Sequence, residues 1–478
     1  MCNNMDRYDV IVIGGGLLGC FTARALRRYS LKVALFEMRE DLCTGISRAN
    51  TAIVYSGCDT KPGTMKTSMC VRASQGFAQL CGELGVRFSH CGSIMVSFGE
   101  RGDKVLRNKL EIGAENGVRG MRLLNSEGVY ALEPNLAPGV HMGLYVPDTG
   151  TVMPWELCLA AAENASDNGA QIMLNTEVTG ISRASHGGGY EVSTSNGVFF
   201  ARGIINCAGM AADMVHEMAY DPVVRIVASA GDYFVLDTKA AGHIRHVIFH
   251  EPEVKGKGLT LVPTVDGNIL VGPTERPGDD FRTEHAGLDE LRELVSRVMP
   301  SLPMEHVIRS FGAVRPNPHL LVRGDNGGYV TDDKSVSDFC VLEADGGAFF
   351  SLVGVKTPGL TCANELGSYV ADRMADCLGA AVNPAFDPLR LPPVRLSDLS
   401  FEDRELYTRM NGPGSCRIVC RCRGVSESEI VSAIKRFPGA ATLDGVKRRT
   451  GAGSGRCQGS FCGQRVGEVI REELGVRS

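Results

Sequence analysis

The chain has 478 residues, 44% of them hydrophobic, which is enough apolar material for two or three packed domains and excludes both a small stapled scaffold and a disordered chain. Its 58 glycines and 21 prolines follow no period, so collagen-like and low-complexity classes are excluded as well. A formal charge of -5 gives no global attraction for nucleic acid or an anionic membrane.

In chain order, Tyr8 to Ile13 is a short apolar, β-branched run suited to a buried parallel strand. Gly14, Gly16 and Gly19 follow at once with G-x-G-x-x-G spacing around Leu17 and Leu18. A helix is predicted over Phe21 to Tyr29, and a second strand over Lys32 to Phe36 ends at Glu37. This strand, turn, helix, strand context with an acid about 20 residues on is that of a dinucleotide site. Gly14 permits the tight turn, Gly16 lets a pyrophosphate approach the helix start, and Gly19 allows close helix–strand packing. Glu37 can accept from ribose hydroxyls and would repel a 2′-phosphate. The motif alone does not separate FAD from NAD.

Strand-like stretches bounded by Gly, Pro and Asp occur at Arg87 to Val96, Asp221 to Asp237 and Leu259 to Val271. Trp155 follows Pro154 at a predicted helix start and reads as packing. Pro358 and Gly359 precede Leu360, Thr361 and a helical run from Cys362 to Cys377, which places free N–H groups at a helix start.

After Pro384 the composition shifts. Cys420 and Cys422 form C-x-C, and Cys457 and Cys462 form C-x4-C after 34 intervening residues. Ser426 with Glu429 reads as a capping box for a helix to Arg436, Thr442 as the cap of a second helix, and Gly463 to Leu474 as a third. Four thiolates brought together by short helices make a metal site, and zinc more often takes C-x2-C knuckles. The other twelve cysteines up to residue 415 read as buried small hydrophobes in a reducing compartment, and Cys416 as a spare thiol. Residues 416–478 carry 12 Lys and Arg against 6 Asp and Glu. Arg417, Arg421, Arg423, Arg448, Arg449 and Arg456 are expected to neutralise the negative charge of such thiolates. A nucleic-acid patch is the rival reading of that charge, and no interleaved aromatics support it.

The segments Ser47 to Gly57 and Lys61 to Lys66 resemble the second flavin-contacting region of the D-amino-acid-oxidase-like FAD enzymes. The resemblance is closest to glycerol-3-phosphate dehydrogenases and L-2-hydroxyglutarate oxidases. It continues through Thr176 to Val178, Ile205 to Gly209, Pro263 to Asn268, Gly272 to Thr274 and Gly354 to Thr361. It implies noncovalent FAD, with Glu37 at the ribose, Ser47, Asn50 and Thr51 along the pyrophosphate and isoalloxazine, and Val178 at the adenine. Gly209 would lie near the flavin, with Gly354, Pro358, Gly359, Leu360 and Thr361 at its pyrimidine edge. Relatives usually carry a histidine in the triplet that here reads Tyr55-Ser56-Gly57, so a histidine-linked flavin is unsupported. The implied substrate-facing groups are Phe249 to Pro252 with His250 as proton acceptor, Arg309, Arg315 within Phe311 to Pro316 as anion binder, and Lys356; Gly231-Asp232-Tyr233 leads into the substrate sheet. The tail resembles the [2Fe-2S] domain of bacterioferritin-associated ferredoxins fused to FAD dehydrogenases, with Cys420, Cys422, Cys457 and Cys462 as ligands.

The implied architecture is an α/β Rossmann-like FAD-binding domain (about 1–90, 150–215 and 340–385) interleaved with an α+β substrate domain (about 90–150 and 216–340). A linker at 386–412 leads to a small helical [2Fe-2S] domain at 413–478. The expected activity is dehydrogenation of a small anionic hydroxy substrate, glycerol 3-phosphate first and L-2-hydroxyglutarate or another 2-hydroxy acid next. Electrons would leave through the cluster to a protein acceptor or partner redox subunit. The alternatives are an amino- or imino-acid dehydrogenase on the same scaffold, and an electron-transfer subunit with no substrate of its own. No secretion signal or spanning stretch is read from the chain, so a cytoplasmic location is expected. Peripheral contact at the inner membrane face and the oligomeric state stay open.

Overall fold

A computed structural model describes residues 6–185, 188–251, 258–324 and 328–475. The first strand, Arg7–Ile13, pairs in parallel with Val33–Phe36 and with Gly197–Asn206, which places Ile13 opposite both Phe36 and Asn206. Gln171–Met173 extends the sheet on one side, and Phe349–Val353 pairs in parallel with Gly197–Asn206 on the other. From Val10 to Ile13 the first strand is apolar because both faces are covered. Val10 and Val12 enter a core shared with the helices Leu17–Leu26, Pro154–Asp167 and Gly359–Leu378, while Ile11 and Ile13 enter one with Phe36, Tyr190 and Phe349. Trp155 packs at the margin of the first core, as its sequence context suggests.

Two helices begin earlier than their apolar periodicity indicates. The first starts at Leu17, because Gly16 serves as its N-cap and Ser47 Oγ accepts the Leu17 N–H at 3.0 Å. The last body helix starts at Gly359 rather than Cys362. The two helices cross closely at Gly367, where a Cβ would sit 2.8 Å from the Thr22 nitrogen.

A second sheet runs Tyr329–Ser335, Val307–Arg323, Val224–Leu236, Ile269–Val271, Thr260–Pro263, Val247–His250, Ser93–Ser97, Met142–Val146 and Arg122–Asn125. Two stretches expected as single strands are broken by turns. Gly92, at φ +70, separates Phe88–Ser89 from Ser93–Ser97, and Thr264 to Asn268 separates Thr260–Pro263 from Ile269–Val271. The long pair Val224–Leu236 and Val307–Arg323 places Arg315 opposite Ser229 and Phe311 opposite Tyr233.

Residues 386–399 are strapped to the flavin-side body. Asn164 donates to the carbonyls of Asp387 and Leu389, both at 3.1 Å, and Arg390 pairs with Glu163 at 2.7 Å. The helix Phe401–Asn411 that follows buries none of its residues. The tail then folds as Glu427–Lys435, Leu443–Thr450 and Gly463–Leu474 around Ile430, Val446, Val466 and Val469. Both expected caps form: Ser426 and Glu429 make a capping box, and Thr442 accepts from the Gly445 N–H.

Acidic side chains of the body fix this tail. Asp41, 1% exposed, receives Arg448 at 2.5 Å and a two-pronged contact from Arg449 at 2.8 Å. Glu163 takes Arg436 at 2.5 Å, and Asp266 takes Arg423 at 2.5 Å. Arg417 lies 3.5 Å from Glu427 within the tail. Four of the six arginines expected to neutralise the cluster are therefore engaged with carboxylates, which as full charges within reach outcompete shared sulfur charge. Burial tends to raise the Asp41 carboxyl, yet the bonds and charges of Arg449 and then Arg448 hold it below its ordinary 3.8.

Asp41→Asn should loosen the tail, since removing one partner of a buried pair costs about 3–5 kcal/mol. The expected signs are a lowered unfolding temperature and faster proteolysis within 386–412. Acid should act in the same direction. The Asp41 contribution is complete above the ordinary carboxylate range and is lost as pH falls through its lowered folded value.

Candidate functional site

The glycine loop and the segments facing it form a cradle lined with unsatisfied helix starts. Gly14 has φ +107, and a Cβ there would lie 2.5 Å from the Cys207 carbonyl; one on Gly19 would lie 1.8 Å from the Gly14 carbonyl. Neither position tolerates a side chain, which brings the strand, the helix and the Cys207-Ala208-Gly209 turn into contact. Gly209, at φ +61, faces Ile46 across the cradle. The N-cap of the helix Leu17–Leu26, Gly16, has no side chain to cap it, and apart from Ser47 at the Leu17 N–H nothing caps its first turn, which carries no acid; Leu17, Leu18 and Gly19 thus present its positive end to an anion.

Glu37 is buried beside this loop and accepts from the Gly15 N–H at 2.7 Å and the Arg39 N–H at 2.9 Å. Burial pushes its carboxyl up by more than these donors pull it down. The Thr176 N–H donates to the Glu37 carbonyl at 2.8 Å, which brings Val178 to the same end of the cradle. Asn50 is committed to its own turn: it donates to the Ser47 carbonyl at 3.0 Å and accepts from the Ala52 N–H at 2.8 Å. Its part is to shape the loop that presents Ser47 and Thr51.

At the opposite end, the helix Gly359–Leu378 also starts without a capping side chain or a first-turn acid. Gly354, at φ +65, packs where a Cβ would be 2.6 Å from Pro318. Thr361 Oγ1 accepts the Tyr55 N–H at 3.0 Å, tying this helix start, with Pro358 and Leu360, to the Tyr55 loop. Two open helix starts, a buried carboxylate and sterically enforced glycines fit a dinucleotide that carries a ring able to take up negative charge.

Tyr55 stands between two groups of polar residues. On one side a cavity of about 290 Å³ is lined by Tyr55, Lys109, Phe249, His250, Glu251 and their neighbours. His250 lies edge-on to Phe98 at 5.7 Å, and Lys109 Nζ is 3.6 Å from Asp59. Pro252 lies outside the described residues. On the other side, Arg315 lies within electrostatic reach of the Tyr233 hydroxyl, is 3.8 Å from Glu275 and donates to the Thr274 carbonyl at 3.4 Å. Gly231 leaves room for it, since a Cβ there would lie 3.1 Å from Arg315. Tyr233 stacks on Phe311 at 4.6 Å with ring planes 2° apart. Lys356 Nζ donates to Asn317 and Ser335, each at 3.0 Å; burial, joined by the Arg315 charge, lowers its pKa. Burial raises the Tyr55 phenol to about 12, so near neutral pH it is a donor rather than a base.

Of the substrate-facing groups named from the sequence, Tyr55, Phe249, His250, Arg315 and Lys356 lie around this site, and Arg309 lies apart. That residue is on the exposed end of its strand beside Lys447 of the tail, six positions, about 20 Å, from Arg315.

In the tail, Cys420 and Cys462 are buried, Cys457 is half-buried and Cys422 is exposed. Cys422 and Cys457 are 3.6 Å apart, and Cys420 neighbours Cys462. Two thiolates on one tetrahedral ion with metal–sulfur bonds of about 2.3 Å lie about 3.8 Å apart. Among the described residues no three ligand-type side chains converge on a single ion. The thiols approach as two pairs, the donor set of a two-iron cluster. Gly455 allows this, because a Cβ on it would lie 2.4 Å from Cys422 Cβ. The Phe461 N–H is the main influence that lowers the Cys457 thiol. Cys416 stays outside the set, 2.9 Å from the Thr408 hydroxyl.

Residues 9–373 match the model of the FAD dependent oxidoreductase family. The chain belongs to that family. Residues 418–472 match the BFD-like [2Fe-2S] binding domain. The chain is 35% identical over 475 residues to the glycerol 3-phosphate dehydrogenase of Caloramator mitchellensis, covering 98% of this chain and 95% of that one. It is 29% identical over 281 residues to the mitochondrial L-2-hydroxyglutarate dehydrogenase of Homo sapiens, covering 56% and 60%. A solved structure of dithionite-reduced L-alpha-glycerophosphate oxidase from Mycoplasma pneumoniae with FAD bound superposes with a TM-score of 0.73 at 28% identity, covering 82% of this chain and all of that one.

The cofactors of this oxidoreductase are FAD and a [2Fe-2S] cluster. Sequence reasoning missed Lys109, one lysine on an amphipathic helix with no local signal, and Gly455, whose meaning depends on where Cys422 packs. It also missed Asp41, whose short, acidic loop gives no hint of a partner some 400 residues on. Among the described residues no helix is long and apolar enough to cross a membrane.

Gly19→Ala should yield protein with little bound flavin, read from its visible absorbance, because the added carbon collides with the Gly14 carbonyl. Cys457→Ser should lose the [2Fe-2S] signal in electron paramagnetic resonance and most acid-labile sulfide, while flavin binding persists.

Proposed function

We propose that this oxidoreductase dehydrogenates glycerol 3-phosphate and passes the electrons, one at a time, through its [2Fe-2S] cluster to a protein acceptor. The observation that carries this reading is the largely buried Arg315, set beside Tyr233 and within electrostatic reach of Tyr55, in a chain whose likeness to a glycerol 3-phosphate dehydrogenase includes the tail.

Bound FAD supplies the acceptor for the substrate's hydride. The chain supplies the rest. Arg315, with Lys356 nearby, would hold the phosphate, since a planar guanidinium in a low-dielectric site forms strong charge-assisted bonds to such an anion. Tyr55 occupies the position where relatives carry histidine and, staying protonated, would donate to a substrate oxygen rather than accept its proton. His250 would take the hydroxyl proton from the cavity wall, because imidazole titrates in the working range. Phe249 and Phe311 exclude water from either side of Tyr55. The cluster favours a dehydrogenase over an oxidase, because a built-in exit for electrons is redundant when oxygen takes them directly.

Anaerobic glycerol 3-phosphate should bleach the flavin band. Arg315→Ala should raise KM about 10- to 100-fold, matching the loss of one charge-assisted bond, and His250→Ala should lower kcat about 100-fold or more. Nearly full turnover in His250→Ala, with bleaching by an amino acid instead, would replace this reading with C–N oxidation.

A further inference from the structure

The tail presents its thiols asymmetrically. Cys420 and Cys462 are buried, and Lys447, which feels the charges of both Cys462 and Arg309, marks their side as the one turned to the body. Cys422 is exposed and Cys457 half-buried, on the side turned to solvent. Three side chains flank this second pair. Arg421 precedes Cys422 and Arg456 precedes Cys457, and both are exposed. Phe461, in the turn between Cys457 and Cys462, is 88% exposed, an unusual position for a phenylalanine.

The charges of the tail are otherwise largely committed. Arg423, Arg436, Arg448 and Arg449 hold body acids, Arg417 and Arg465 share Glu427, and Lys435 pairs with Glu473. Among the described residues Arg421 and Arg456 enter no ion pair; of the remaining tail cations, only Lys447, turned to the body, and Arg471, in the last helix, are likewise unpaired. Two uncommitted guanidiniums beside an exposed aromatic ring are the residue types that anchor protein interfaces. Their position over the solvent-facing sulfurs places such an interface where an electron leaves by the shortest path.

We propose that Arg421, Arg456 and Phe461 form the docking face for a small acidic one-electron carrier protein, which takes electrons from the Cys422–Cys457 edge of the cluster. The proposal rests on the electron route given above and names its exit. Opposite charge gives fast, salt-sensitive encounter, and a face of this small size suits the short-lived complexes of electron transfer.

The test uses the full holoenzyme reduced photochemically, so that it does not depend on the identity of the substrate. Stopped-flow mixing measures cluster reoxidation by oxidised rubredoxin, a small acidic carrier, and by a neutral benzoquinone. Arg421→Glu combined with Arg456→Glu should slow rubredoxin at least tenfold at low ionic strength, with the gap closing as salt rises, while benzoquinone changes less than twofold. Phe461→Ala should slow rubredoxin without changing its salt dependence. An unchanged rubredoxin rate in the double variant would overturn the proposal. An equal loss with benzoquinone would do so too, assigning the arginines to the cluster's own electrostatics. Binding to anionic phospholipid vesicles that the double variant abolishes, with rubredoxin unaffected, would assign the face to a membrane instead.

Discussion

Asp41, Glu163 and Asp266 hold the cysteine-rich domain against the body, and the working arrangement of the two redox centres depends on that grip. Each is an acid of the flavin or substrate region met by arginine of the tail, and Asp41 is the most enclosed, with two guanidiniums on one carboxylate. A domain core as small as that around Val446 and Val466 would drift on a flexible tether. Ion pairs add direction to the contact, because guanidinium and carboxylate bond in a fixed plane. The mild overall charge therefore conceals an acidic body and a basic tail that face one another.

Much of the flavin half was legible in the sequence, for a physical reason. Where backbone meets backbone, as at Gly14 and Gly19, only one residue type fits, and the constraint is written in the residue itself. The apolar, β-branched run from Tyr8 to Ile13 and the caps at Ser426 and Thr442 are equally local signals. The misread features depend on distant partners. Arg448 looks like a cluster-neutralising charge until Asp41 is seen beside it, and Arg309 looks like a substrate group until its strand is traced toward Lys447.

The replacement of histidine by Tyr55 changes the electrical character of the site. The buried phenol keeps its proton, so the loop tied to Thr361 carries a donor and no added charge. Positive charge comes instead from Arg315 and from Lys356, whose pKa is lowered by burial first and by the guanidinium beside it second. In the proposed reaction, proton removal and anion binding would fall to different walls of one cleft, with an aromatic ring between them.

The loop from Asp41 to Cys43 serves both halves of the molecule. Its Asp41 side chain receives the tail, and its Cys43 N–H donates to the Gly15 carbonyl at 2.9 Å in the nucleotide loop. Cofactor loading and tail docking act on the same three residues, so each equilibrium carries information about the other. Linkage requires the bias to be mutual: a nucleotide that tightens this loop favours the seated tail to the same degree that the seated tail favours the nucleotide. Fusion of the two domains thus places one short loop against both centres.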